Sequence, residues 1–190
     1  MKAKIYFISF LFSTMIAFQS VAVNNLQPGN SIFNKPYFIE NKGQWDSDVL
    51  YQVQINGESS WITKNGVAIS SHALEMQLVG VGNDLNTVNT INSTAYVNYL
   101  IGNDPSKYRR NIPLSDEVVV KNIYQGIDIR YYFQEDKLRF DFLVAPKADI
   151  SRIAISFNGA KSQTITSQGE ISLSTDNGDV VIGDLKTFQH

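Results

Sequence analysis

The chain has no cysteine and only two histidines, His72 and His190. Without thiols there is no disulfide framework, no thiolate nucleophile and no cysteine-built zinc site, so a metal centre would need histidine or carboxylates. Excess positive charge is also missing: 16 Lys and Arg stand against 18 Asp and Glu, a formal net charge of −2. A nucleic-acid partner needs a basic surface, and none is expected here. No nucleophile elbow, phosphate-binding loop, zinc motif or calcium loop occurs, and no cofactor is expected. Beyond the first 22 residues there is no sustained 3.6-residue hydrophobic period, which argues against a helical fold. Stability must come from an apolar core, which a chain of 190 residues with 43% hydrophobic side chains has the material to build.

The N-terminus has a separate character. Met1 to Lys4 is a short basic stretch, Ile5 to Phe18 is an apolar run softened by Ser9, Ser13 and Thr14, and Ser20-Val21-Ala22 sets small residues before Val23. This is the layout of a secretory signal peptide cleaved between Ala22 and Val23. A bilayer span needs about 20 apolar residues, more than this run supplies. No cysteine follows it, so a lipoprotein anchor is excluded. Residues 1–22 are therefore expected to stand outside the fold, and residues 23–36, with Pro28-Gly29-Asn30, to form a flexible leader. Removing 1–22 takes away Lys2 and Lys4 and leaves 14 basic against 18 acidic side chains. The processed protein is expected to be secreted or at the cell surface, without a membrane segment.

From residue 37 the sequence reads as strands. Val49, Tyr51, Val53 and Ile55 alternate with polar residues, then Asn56-Gly57 and Asn65-Gly66 punctuate further short runs. Asn-Gly between alternating runs marks two-residue hairpins. The first turn pairs Ile55 with Glu58 and puts Tyr51 opposite Ile62. Read the same way, the second pairs Lys64 with Val67 and puts Ile62 opposite Ile69. Leu74, Met76 and Leu78 continue the meander. The segment from Gly80 to Thr94, rich in Gly, Asn and Thr, is expected to be a loop or insertion, because Val88 and Ile91 alone do not make a strand. Further on, Ile127, Ile129, Tyr131 and Phe133 alternate in one arm of a hairpin, and Leu138, Phe140, Phe142 and Val144 in the other. Pairing Phe133 with Leu138 puts both apolar sets on one face and sets Arg130 opposite Asp141 and Tyr132 opposite Arg139 on the other. With runs around Ile153–Phe157, Ile171–Leu173 and Val180–Ile182, the total is eleven or twelve strands. The fold class is all-β, an antiparallel sandwich-like domain over 37–190 built from a meander and hairpins. Its C-terminal end is expected to be truncated, because Asp184 to His190 starts what reads as another strand.

Three blocks carry a resemblance. Phe38-Ile39-Glu40-Asn41-Lys42-Gly43-Gln44-Trp45 is the first, and Tyr99-Leu100-Ile101-Gly102-Asn103-Asp104-Pro105-Ser106-Lys107 the second. The third runs from Tyr124 to Tyr132, through Leu138 to Phe142, to Phe157-Asn158-Gly159-Ala160. Together they resemble an uncharacterised N-terminal domain of large secreted Bacteroidota proteins. In that family, SBBP β-propeller repeats or immunoglobulin-like repeats often follow the domain, and many chains end in a type IX secretion sorting domain linked by name to gliding motility. The resemblance implies downstream domains or surface proteins as partners and supplies no activity. Tyr108-Arg109-Arg110 departs from an expected Trp-Arg-Thr, Gln125 from a Pro and Lys147 from a Gly.

Candidate chemistry is sparse. Asp128, Arg130, Arg139 and Asp141 share a hairpin face; they read as a carboxylate pair for glycoside hydrolysis or, better, as a cross-strand charge ladder. Trp45, Trp61, Tyr99, Tyr108 and Tyr132 read either as a glycan-binding platform or as packing. Trp61, Tyr132, Arg130 and Asp141 are the candidate ligand-binding residues. His72, beside Ser71 in a tight turn, reads as a solvated side chain, and Asp176-Asn177-Gly178-Asp179 as a plain turn. The expected function is that of a non-catalytic structural or interaction module. A carbohydrate-binding module is the alternative, and a glycoside hydrolase-like enzyme comes third. If the export reading holds, intact-mass analysis of protein from the host envelope finds Val23 as the first residue; a dominant species that keeps Met1 to Ala22 contradicts it.

Overall fold

The structure, a computed structural model, describes residues 3–8, 35–55, 57–90 and 94–189. In chain order the strands are β1 (Ala3–Ile8), β2 (Tyr37–Glu40), β3 (Val49–Ile55), β4 (Glu58–Thr63), β5 (Gly66–Ile69), β6 (Leu74–Leu78), β7 (Asn86–Thr90) and β8 (Tyr96–Tyr99). They continue with β9 (Arg109–Ser115), β10 (Glu117–Tyr124), β11 (Ile127–Gln134), β12 (Lys137–Val144), β13 (Ile155–Asn158), β14 (Ser162–Ile165), β15 (Ile171–Thr175) and β16 (Gly178–Gln189). Among the described residues the only helical pieces are 3-10 turns of three residues each.

Two eight-stranded antiparallel sheets result. Sheet I runs β14-β15-β16-β1-β12-β11-β10-β7, and sheet II runs β13-β6-β5-β4-β3-β2-β9-β8. The side chains between them obey the period of two. Tyr51, Ile62, Val67, Ile69 and Met76 of sheet II pack against Ile129, Tyr131, Phe140 and Phe142 of sheet I, all buried. Fully burying side chains of this size is worth about 1.5–3 kcal/mol each. Phe38 of β2 stacks on Phe133 of β11 with ring centroids 4.4 Å apart. The Tyr124 hydroxyl, at the end of β10, donates to Val79 O at 2.8 Å and ties one end of sheet I to the chain leaving β6.

The β11–β12 hairpin has the expected register, with Phe133 opposite Leu138, Arg130 opposite Asp141 and Tyr132 opposite Arg139. Its loop is Glu135-Asp136, both at positive φ (51° and 55°). The β3–β4 hairpin also agrees, with Ile55 opposite Glu58 and Tyr51 opposite Ile62. The second turn does not. Thr63 pairs with Gly66 and Ile62 with Val67, so Lys64-Asn65 form the loop and Ile62 does not meet Ile69. Only Gly66 takes a positive φ (+144°), so the turn avoids two left-handed residues. Thr63 Oγ1 supports it, accepting from Asn65 N at 3.3 Å and donating to Gly66 O at 3.4 Å. Thr175-Asp176-Asn177-Gly178 repeats this wiring at 3.1 and 2.7 Å, with Gly178 at φ +115°. That segment is the plain hairpin turn read from the sequence.

Other differences follow from how strands can form without a readable apolar pattern. Residues 86–90, expected as loop, are an edge strand paired with β10, and their one apolar residue, Val88, is 51% exposed. β14 is likewise wholly exposed, and β9 carries Pro113. Residues 184–189 do not begin a new strand but continue β16. His72 is not solvated: it is 8% exposed, with Ser71 Oγ 2.9 Å from its Nδ1. Residues 3–8, expected to stand outside the fold, lie in sheet I between β12 and β16, paired with both. Ile5-Tyr6-Phe7-Ile8 is a strong strand former, and both neighbours offer a free ladder edge. The Ala22–Val23 junction and the leader up to residue 34 lie outside the described residues.

The turn geometry is open to test. A Cβ on Gly66 would sit 2.0 Å from Met76 O, whereas one on Gly57 (φ +84°) would meet nothing within 4 Å. Gly66→Val is expected to lower stability by about 3 kcal/mol and Gly57→Val by about 1 kcal/mol in thermal melts. Equal losses at the two positions would contradict the assigned turns.

Candidate functional site

The outer face of sheet I carries the charged candidates. Arg130 and Tyr132 on β11 and Arg139 and Asp141 on β12 alternate with the buried residues and so point away from the core. The ladder reaches one strand further than the hairpin itself. Arg130 Nε lies 3.1 Å from Glu117 on β10, and Lys121 Nζ lies 3.2 Å from Asp128. The Arg130 guanidinium also sits 4.3 Å above the Tyr132 ring. That Glu117 contact is an ion pair without hydrogen-bond geometry, since Arg130 Nε counts, with Arg139 Nε, among the buried side-chain atoms lacking a hydrogen bond. Tyr132 donates its hydroxyl to Asp141 at 3.3 Å, and Asp141 is 0% exposed. Burial, and then the Asp141 carboxylate beside it, push the Tyr132 phenol up to about 12, so it stays a donor at neutral pH. Asp128 is further committed, accepting from Asn122 N at 2.9 Å. A hydrolytic pair needs two carboxylates flanking a substrate. Here Asp141 is closed off from solvent and Asp128 is held by a lysine and a backbone amide.

Trp61 is elsewhere. It lies on the outer face of sheet II, so the structure does not bring it together with Tyr132, Arg130 and Asp141. Trp61 packs edge-on against Trp45 at 5.1 Å and 78°, and Trp45 packs edge-on against Tyr99 at 5.2 Å and 79°. Trp61 Nε1 donates to Ser70 Oγ at 3.0 Å and Tyr99 donates to Gln52 Oε1 at 3.1 Å. Burial pushes the Tyr99 phenol up to about 12. Trp45 and Tyr99 belong to a small second core with Ile39, Ile112 and Leu114. Rings set nearly perpendicular and half-buried are packed like an interior; they do not form the coplanar platform on which a sugar ring would stack.

Beside this cluster the loop after β2 is organised by one side chain. Asn41 Nδ2 donates to Trp45 O, Asp46 O and Val49 O at 3.3, 2.8 and 2.8 Å, while its Oδ1 accepts from Gly43 N and Trp45 N. Arg109, at the start of β9, closes the loop by donating to Lys42 O at 2.6 Å and Ser106 O at 3.1 Å. A Cβ on Gly43 (φ +96°) would come within 3.1 Å of that guanidinium. The sequence reading gave Asn41 and Arg109 no role, although both lie in or beside the blocks that carry the family resemblance. Those two blocks meet in space as one unit. The groove alongside, lined by Glu40, Asn41, Trp45 and Leu50 among others, has a volume of about 330 Å³. An apolar cavity of about 240 Å³ opens between the sheets, among Met76, Phe140, Phe157 and Ile182. Among the described residues no group of three or more histidine and carboxylate side chains is placed to hold a metal ion.

A profile described as "Domain of unknown function (DUF7948)" matches residues 67–190, well over half of the chain. The chain belongs to this family. The DUF7948 match covers β5 to β16, and so every strand of sheet I except β1. No curated protein and no solved structure matches the chain.

If Asn41 is the organiser of its loop, Asn41→Ala is expected to lower stability by about 2 kcal/mol. Asn41→Asp, which faces three carbonyl oxygens with a carboxylate, should cost at least as much. Denaturant titration followed by tryptophan fluorescence measures both; an unchanged midpoint for either variant contradicts the assignment.

Proposed function

We propose that this DUF7948 domain is a non-catalytic structural or interaction module of an exported bacterial protein. The observation that carries the reading is the commitment of the three acidic groups in the sheet I ladder. Glu117 is held by Arg130, Asp128 by Lys121 and Asn122 N, and Asp141 is buried against the Tyr132 hydroxyl. A general acid or nucleophile must reach substrate, and these groups are turned into the sheet's own ladder. The perpendicular packing of Trp45, Trp61 and Tyr99 supports packing over glycan stacking. The signal-peptide layout of residues 1–22 supports export to the cell surface or beyond. The resemblance of the three sequence blocks supports an N-terminal position in a large secreted Bacteroidota protein, with SBBP or immunoglobulin-like repeats and a type IX sorting domain downstream. Partners are then neighbouring domains of the same polypeptide or other surface proteins. No helix among the described residues is long and apolar enough to cross a membrane.

The test is a panel of glycan and ester substrates offered to the purified protein and to Asp141→Asn. No turnover above background is expected from either. Turnover by the parent that Asp141→Asn abolishes while its melting curve stays sharp would make the protein a hydrolase.

A further inference from the structure

Sheet I is continuous only because of β1. Its residues pair with β12 on one side (Ala3 with Val144, Ile5 with Phe142, Phe7 with Phe140) and with β16 on the other (Ala3 with Gln189, Tyr6 with Lys186, Ile8 with Gly183). β12 and β16 are both antiparallel to β1, so they run parallel to each other and share no ladder. Take β1 away and two unpaired edges face each other across the width of one strand, about 9–10 Å from strand to strand.

The segment that fills this position lies inside the export signal proposed above. It cannot both leave with the signal peptide and remain in the sheet. The positions it occupies also define what would replace it. Phe140, Phe142 and Val144 of β12 are core residues, so a strand beside them needs apolar residues at three alternate positions, as Ala3, Ile5 and Phe7 supply. The position between the last two faces Asp141, where a hydroxyl or basic residue suits a cross-strand carboxylate; Tyr6 holds it here. The leader at 23–36 does not meet this pattern, because it has no three apolar residues at alternate positions and is broken by Pro28-Gly29.

We propose that the gap between β12 and β16 is a strand-acceptor site. In the processed protein it takes an extended strand from another polypeptide, antiparallel to β12, with apolar residues at three alternate positions and a hydroxyl or basic residue opposite Asp141. The main-chain ladders on both sides give the affinity and the alternate side chains the selectivity. The proposal rests on removal of residues 1–22.

The experiment starts from the full chain with a specific protease site inserted between Ala22 and Val23, folded intact and then cut. A fluorescent peptide spanning Lys2 to Phe10 is the probe. The cut protein is expected to take up the label and to melt at a temperature that rises with peptide concentration. The Ile5→Asp/Phe7→Asp peptide should compete at least about 100-fold more weakly, since two apolar anchors are lost. Uncut protein should take up little, its own segment being held at high effective concentration. The proposal is overturned if the cut protein keeps its melting temperature and binds no label, or if it dimerises and excludes the peptide. The export reading fails separately, on the mass of the host protein: a retained Met1 sinks that reading and leaves the exchange result standing.

Discussion

A one-residue slip of β12 against β11 would turn Arg139 and Asp141 into the space held by Phe140 and Phe142. Each buried, unpaired charge costs several kcal/mol, and each displaced aromatic forfeits about 1.5–3 kcal/mol of burial. The turn itself gives the register little help. Glu135 and Asp136 both sit at positive φ, a region that costs a residue such as Glu135 about 1–2 kcal/mol and that Asp136 tolerates better. The contrast between the faces exceeds that strain, so the alternation dictates the register and the turn follows it. β10 continues the pattern, with Val118 and Val120 inward and Glu117 and Lys121 outward in the ladder.

A second constraint acts on sheet II. Its far edge, β9 and β8, is joined to the meander through β2, by two residue pairs, Phe38–Ser115 and Ile39–Leu114. So narrow a ladder would be weak alone. The Asn41 loop, the Arg109 closure and the perpendicular packing of Trp45 and Tyr99 lie beside it and reinforce it. Residues with the look of a binding motif thus hold an edge in place.

These two regions also show what the sequence discloses. The β11–β12 register was legible residue by residue because two long alternating arms admit one solution. So was the meander from Val49 to Leu78, apart from the second turn, where Asn-Gly suits either a two-residue loop of its own or a loop one residue earlier with glycine alone at positive φ. Strands β7 and β14 were not legible: they join the sheet through backbone hydrogen bonds and bury no apolar row, so composition carries no trace of them. For the candidate site, the charge ladder was legible from parity. Its reach to Glu117 depends on which strand lies next to β11, and the separation of Trp61 from Tyr132 depends on which sheet each strand joins. Neither is a local property. Asn41 escaped notice because an asparagine among polar loop residues reads as surface until its five hydrogen bonds are seen.

The order of strands has a consequence for time. Phe38 waits for Ser115, Leu78 for Ile155, and Ala3 for both Val144 and Gln189. Each pairing must close a long stretch of chain, paying its loop entropy before any contact rewards it. Such topologies fold in roughly milliseconds to seconds, far slower than helical bundles. Neither sheet is complete until strands from the second half of the chain have joined it.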